Sequence, residues 1–401
     1  MRIELRTRQL ALALFCLGYA VLGINISSVL IYGPLLIREL DPGSAGLLVG
    51  LLFALPSLTG FLGYNFWGAM YDRHPRPYPF VALPLLAEAI FLSLVLAIPS
   101  ATGLVCLATA FSFFTTALFP ATKAWSTLAW EDSKGRIVGF LHASESVGWG
   151  LGSLLGAAIC WMNPVTMQAI RWIFWVCWGF TVATAVVMVL AFPKVHAGPG
   201  HDRGAKALFS ELGALYGSRP VLRLALFLFV LTMSNVVFFS YYSLYLCDYL
   251  HGPPTLLSLS LAGATVGGAL LFPVYGRLAD RWGRRPLLQA GTVAYLGFYG
   301  ALCFVHSPLL TAILYTIPIY PAIRVATTAW LADLTADGNR AGGMGLLEGV
   351  GALASVAGPF LGWLTVSWFG YGALPLAAVT LMSAGILCFL LLGSHREAHS
   401  A

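Results

Sequence analysis

Charged residues are scarce. Asp, Glu, Lys and Arg make up 9% of the 401 residues, against about 25% in ordinary soluble domains. A soluble fold could not cover its surface at that level, and the mean hydropathy of +0.82 makes lipid the solvent for most of this chain. Catalytic signatures are missing too: there is no HExxH, no GxSxG and no Walker A sequence, and Gly204-Ala-Lys206 is no phosphate loop. No long polar stretch offers a signalling domain, so an enzyme or a receptor is disfavoured. None of the seven cysteines forms a CxxC pair and most lie in apolar runs, which reads as packing and excludes a disulfide frame or a metal site. No cofactor is expected. The formal charge of +6 does not indicate nucleic acid, because the basic residues sit in loops between apolar runs and form no polar face.

What is present is apolar length. Windows of about 20 residues divide the sequence into spans at 9–36, 45–68, 78–99, 102–130, 137–161 and 168–192, then 221–247, 256–279, 287–306, 309–333, 343–368 and 371–393. The first run follows Arg2, Arg6 and Arg8 but far exceeds a signal-peptide core, so it is kept as a span. Twelve spans put both termini on one side. Of the 22 Lys and Arg, eighteen fall on that side and two, Arg38 and Arg171, on the other, with Lys123 and Arg324 inside spans. That asymmetry assigns the termini to the cytoplasm of a cell inner (plasma) membrane. The expected fold is an all-α membrane protein of twelve transmembrane helices in two pseudo-symmetric six-helix halves, 1–192 and 221–401. They are joined by a cytoplasmic linker, 193–220, with an amphipathic piece near 205–216 lying on the membrane surface.

The halves repeat. Gly68-Ala-Met-Tyr-Asp72-Arg73-His-Pro75-Arg76-Pro77 after span 2 matches Gly276-Arg-Leu-Ala-Asp280-Arg281-Trp-Gly283-Arg284-Arg285 after span 8 at an offset of 208. Pro120-Ala-Thr-Lys123 in span 4 matches Pro321-Ala-Ile-Arg324 in span 10 at an offset of 201, as do Thr127 with Thr328 and Asp132 with Asp333. Spans 5 and 11 share Gly152-Ser-Leu-Leu-Gly156 and Gly358-Pro-Phe-Leu-Gly362. Duplicated halves around a midplane site are a transporter architecture.

With these residues the chain resembles the major facilitator superfamily over essentially its whole length. Gly276–Arg285 carries that family's Gly-x-Leu-x-Asp-Arg-x-Gly-Arg-Arg loop signature; the first copy departs from it at Pro75 and Pro77. The resemblance implies a secondary active transporter that works by alternating access, functional as a monomer, with a small organic solute and protons as partners. Two marks of the family's proton-driven drug exporters are absent: no Arg occurs in Ala108–Thr115, and Gly152-Ser153 stands where Gly-Pro is usual. An exporter of drugs or metabolites remains the alternative within the same fold.

Ionisable residues within spans are expensive there and mark function or pairing. They are Glu88, Lys123, His142, Glu145, Arg324 and Glu348, all about 8–15 Å from the terminal side at 1.5 Å per residue. Each half thus has a cation on its fourth span and a carboxylate on its fifth. In the resembled family the first and fourth helices of each half line the central cavity, so Lys123 and Arg324 would suit an anionic solute. The competing reading is ion pairing within each half, Lys123 with Glu88 or Glu145 and Arg324 with Glu348. Glu145, Glu348, Glu88 and His142 are the candidates for proton carriage. Asn25 and Asn235, like Ser27 and Ser28, either bind solute or hydrogen-bond neighbouring helices. In the two loops, Gly68, Asp72, Arg73 and Gly276, Asp280, Arg281, Gly283, Arg284 are candidate gating residues: a carboxylate facing a helix N-terminus, arginines on carbonyls, glycines for close approach.

Single cysteines placed in 193–220 are expected to react with an impermeant maleimide only from the cytoplasmic face. Labelling solely from the outer face would overturn the topology.

Overall fold

In lipid, a backbone must satisfy its own hydrogen bonds, and a helix does so within one segment. The computed structural model describes residues 2–74, 76–130, 134–162, 166–193, 219–334 and 340–394, and among these every regular element is a helix. The linker residues 194–218 lie outside that set. In order come α1 (Arg2–Leu40), α2 (Ala45–Arg73), α3 (Pro77–Ala97), α4 (Ala101–Thr115), α5 (Leu118–Ala129), α6 (Lys134–Met162) and α7 (Thr166–Ala191). Then follow α8 (Arg219–Phe239), extended by a short turn and a π-helical turn to Tyr249, α9 (Pro254–Trp282), α10 (Arg284–Leu302), α11 (Pro308–Tyr315), α12 (Tyr320–Leu334), α13 (Arg340–Phe369) and α14 (Leu374–Ser394). Among the described residues, nine helical stretches are long and apolar enough to cross a membrane. The stretches expected at 137–161 and 287–306 are helical, as α6 and α10, without reaching that apolarity.

The fourth and tenth expected spans are each broken in two, at matching places. Both start on a serine cap: the Ser100 hydroxyl accepts from the Gly103 N–H at 3.2 Å and that of Ser307 from the Leu310 N–H at 3.4 Å. Both breaks fall just before the paired prolines. Pro120 cannot donate to the carbonyl of Thr116, and Pro321 cannot donate to that of Ile317; the ring of each also crowds that carbonyl. The chain answers with tight turns, Ala117 N–H to Phe114 O at 3.1 Å and Ile317 N–H to Leu314 O at 3.2 Å.

The chain divides into two compact units, Met1–Asp202 with Pro253–Val266, and Arg203–Gly252 with Gly267–Ala401. In the first, α1 and α6 approach backbone to backbone. A Cβ at Gly148 would collide with the carbonyl of Ala20, and one at Gly152 would lie 2.8 Å from that of Ile24. One at Gly156 would strike the ring of Tyr32. These glycines are four residues apart, so they form one stripe. Tyr32 is thereby held so that its hydroxyl hydrogen-bonds Ser258, which ties the start of α9 to this unit. The second unit repeats the device between α8 and α13. A Cβ at Gly358 would lie 2.9 Å from Val236, and one at Gly362 would lie 2.6 Å from the ring of Tyr241.

Polar seams join other helices of each unit. The Asn25 amide donates to the Thr181 hydroxyl at 2.7 Å, that hydroxyl donates to Cys177 O at 2.8 Å, and the Cys177 thiol donates to Ser28 at 3.3 Å. In the second unit the Ser234 hydroxyl donates to Ala378 O at 2.7 Å.

Gly148→Leu and Gly152→Leu are each expected to lower stability by about 1–3 kcal/mol, the usual cost of overpacking. Gly179→Leu, in α7, where nothing lies within 4 Å of an added Cβ, should be tolerated. Thermal unfolding of the purified protein in detergent checks this ordering.

Candidate functional site

The site in the first unit is built on α5, the half-span that resumes after the break. Phe119 and Lys123 are one turn apart and share a face, and Thr122 lies beside them. Thr122 is fixed twice: its hydroxyl donates to Leu118 O at 2.7 Å and pairs with the Tyr19 hydroxyl of α1 at 3.0 Å. Tyr19 also meets Phe119 edge-on, ring centroids 5.0 Å apart, and Tyr64 of α2 lies against Phe119 at 5.7 Å. Tyr19 and Thr122 are fully buried, whereas Lys123 is half-buried.

Glu145 reaches the same cluster from α6. Its carboxylate Oε2 lies 3.5 Å from His142 Nδ1, one turn earlier, and both side chains keep access to solvent or lipid. Glu145 also lies within electrostatic range of Tyr19. The backbone there is close to α1: a Cβ at Gly23 would lie 2.5 Å from the Glu145 carbonyl. Two residues treated separately in the sequence are therefore close neighbours on α6.

Glu88 stands apart. It is 6% exposed on α3, the helix that packs on α7, and lies within electrostatic range of Cys177. Asn25 is also turned toward α7, where Thr181 takes its amide. Asn235 accepts from the Tyr299 hydroxyl at 2.8 Å and donates to Leu231 O at 2.9 Å. Both asparagines serve helix contacts of the kind weighed against solute binding.

In the second unit α12 repeats α5. Tyr320 meets Phe272 of α9 with ring centroids 5.7 Å apart, and Arg324 follows Tyr320 by one turn, within electrostatic range of it and exposed. At the repeat offsets Tyr320 replaces Phe119, Phe272 replaces Tyr64 and Arg324 replaces Lys123. The aromatic pair before each cation is what the sequence reading missed. Part of its signal was available, since the offset of 201 carries Phe119 to Tyr320 and that of 208 carries Tyr64 to Phe272, but nothing in the sequence joins Tyr64 to Phe119. Glu348 lies on α13, and its side chain, like those of Asp72, Arg73 and Asp280, lies outside the described residues.

The two candidate gating loops differ in backbone. After α9 the chain turns at Gly283, φ +90°, with its N–H on Ala279 O at 3.1 Å, and Arg284 directs a nitrogen to the same carbonyl at 3.5 Å. Arg281 is exposed. Proline, with φ fixed near −65°, cannot make this turn, and Pro75 occupies the equivalent place in the first loop. There α2 ends at Arg73, the His74 N–H bonds Met70 O at 3.0 Å, and α3 starts at Pro77. The motif glycines are not close-packed: an added Cβ at Gly276 meets nothing within 4 Å, and one at Gly68 meets Pro120 at an ordinary 3.7 Å.

The family profile of the Major Facilitator Superfamily matches residues 15–319 and 224–401, which takes in nearly the whole chain. The chain belongs to the major facilitator superfamily. It is a multi-pass membrane transporter, and not an enzyme. Among its relatives is the multi-drug resistance efflux pump PmrA homolog of Lactococcus lactis subsp. lactis (strain IL1403), 23% identical over 89% of this chain and 88% of that protein. The tetracycline resistance protein, class C, of Escherichia coli is 36% identical over a shorter stretch, 32% of this chain and 33% of that protein. Among solved structures, a bacterial homolog of the human lysosomal transporter Spinster, inward-facing and unoccupied, superposes with a TM-score of 0.75. That likeness covers 97% of this chain and 96% of the other at 16% identity, and shows the superfamily fold.

Gly283→Ala places a side chain at positive φ and is expected to cost about 1–3 kcal/mol. Gly276→Ala, within α9 and with open space around it, should cost under about 1 kcal/mol. Paired thermal-unfolding curves check the difference.

Proposed function

We propose that this transporter moves a small organic anion by alternating access and couples that movement to protons. The observation that carries the reading is the duplicated cation: Lys123 and Arg324 each stand one turn into the helix that resumes after a proline break, half-buried and exposed respectively. A charge within a membrane span is costly, and functional sites are where such charges persist. A cation beside hydroxyls and aromatic faces suits a carboxylate or similar anion.

The His142–Glu145 pair supports proton coupling. The pair lies next to the Tyr19–Thr122 contact that adjoins Lys123, so adding or removing a proton changes the field at the cation. Glu348 is the second half's carboxylate on its fifth span, at comparable depth. Glu88, buried against α7, is assigned a supporting role in the fold. Alternating access is then a change in which end of each half's helices is closed, with the Asp72 and Asp280 loops as gates on the cytoplasmic side. The halves are 1–192 and 221–401, joined by a cytoplasmic linker, in the plasma membrane and active as a monomer.

A second reading, export of drugs or metabolites, draws support from the efflux pump and the tetracycline resistance protein among the relatives. Counterflow in proteoliposomes with an imposed pH gradient separates the two. Exchange of organic anions favours the first reading, and exchange of neutral or cationic drugs alone favours the second.

Lys123→Gln and Arg324→Gln are each expected to reduce anion transport about 10- to 100-fold, the loss of one charge-assisted hydrogen bond. Both proteins should still reach the membrane. Glu145→Gln should flatten the pH dependence of transport. Normal transport by both cation variants would move solute binding to Asn25, Asn235 and their neighbours.

A further inference from the structure

An aromatic pair accompanies the cation in both repeats. In the first unit Tyr64 lies against Phe119, centroids 5.7 Å apart, one turn before Lys123. In the second, Phe272 lies against Tyr320, also at 5.7 Å, one turn before Arg324. The hydroxyl sits on the earlier ring in one copy and on the later ring in the other, but both copies keep two rings and a cation.

Tyr64 is the exposed member, at 46%, while Phe119 is 7% exposed. Its position on α2 decides what that exposure means. The face of α2 that packs on α4 is marked by Gly63, where a Cβ would lie 2.7 Å from Phe113 O, and by Trp67, whose indole donates to the same carbonyl at 2.7 Å. At about 100° per residue, Tyr64 stands to one side of Gly63 and Leu62 to the other. The Leu62 flank, with Leu58, is apolar and exposed, as a lipid face would be. The Tyr64 flank meets Phe119 and, through it, Tyr19, Thr122 and the Lys123 turn. Tyr64 therefore lies on the flank of α2 that faces α5, an exposed ring beside the turn that carries Lys123. Phe119 and Lys123 are separated by about 6 Å along the helix axis, which fits a ligand whose planar body and anionic group are held together in one small molecule.

We propose that the solute is a planar aromatic carboxylate, and that Tyr64 is a specificity-determining residue for its ring. This rests on the reading of Lys123 as an anion site. The aromatic body lies offset against Tyr64, where ring–ring contact favours a flat π-system over a saturated one of equal size. The carboxylate goes to Lys123. The Phe272–Tyr320–Arg324 set is the second unit's copy of the same recognition element.

The test uses the full chain in lipid nanodiscs and two probes of equal charge, 1-naphthoate and its fully saturated decahydro analogue. Binding is measured by calorimetry, with empty nanodiscs correcting for partition into lipid. The expected result is about 3- to 10-fold tighter binding of 1-naphthoate, the range of one aromatic pair. Tyr64→Leu should abolish that preference while both probes still bind, and Tyr64→Phe should keep it. Lys123→Gln should weaken both probes alike. Equal affinity of the wild-type protein for the two probes would overturn the aromatic inference and leave the anion reading standing, as would a preference that survives Tyr64→Leu. Binding of neither probe, or binding unchanged in Lys123→Gln, would overturn the anion reading itself and the inference with it. The wild-type comparison needs no variant, so misfolding of Tyr64→Leu would not protect the proposal.

Discussion

A helix in hydrocarbon gains little from the hydrophobic effect when it meets another helix, because lipid tails are as apolar as its side chains. What remains is close van der Waals contact and the few hydrogen bonds that cross the gap. The contact of α1 with α6 depends on this. Gly148, Gly152 and Gly156 leave room for the carbonyls of Ala20 and Ile24 and for the Tyr32 ring, and the side chains on either flank of that seam are placed by it. Tyr19 reaches Thr122, and Glu145, with His142 one turn before it, sits where α6 crosses Gly23. The second unit builds its α8–α13 seam from Gly358 and Gly362 in the same way.

The prolines provide the other constraint. Helix interruptions before Pro120 and Pro321 set the start, and so the rotation, of α5 and α12. Each short helix then presents an aromatic residue and a cation on one face. The same arrangement recurs in both copies of the repeat, although the residues around each copy differ.

Symmetry is kept where backbones meet and relaxed where side chains do other work. Tyr32 and Tyr241 lie against equivalent glycines, yet the Tyr32 hydroxyl bonds Ser258, whereas that of Tyr241 donates to Pro359 O at 3.3 Å. The loop copies diverge for a covalent reason: Gly283 takes a φ of +90°, which is closed to Pro75.

Apolar run length, the placement of Lys and Arg, and the internal repeat were enough to give an all-helical membrane fold, since each follows from composition along the chain; the superfamily came from the resemblance carried by Gly276–Arg285. The loop signature, the glycine stripes and the paired cations of spans 4 and 10 were equally visible. The partners were not. The sequence offered Glu88 and Glu145 alike to Lys123; packing buried Glu88 against α7, while the contact of Glu145 with His142 is local to α6. Asn25 and Asn235 read equally as solute-binding or helix-contact residues, and only tertiary packing gave them Thr181 and Tyr299 as partners. The aromatic pairs were hidden for the same reason. Tyr64 and Phe119 are far apart in sequence, and only the tertiary structure brings α2, α5 and α1 together around them.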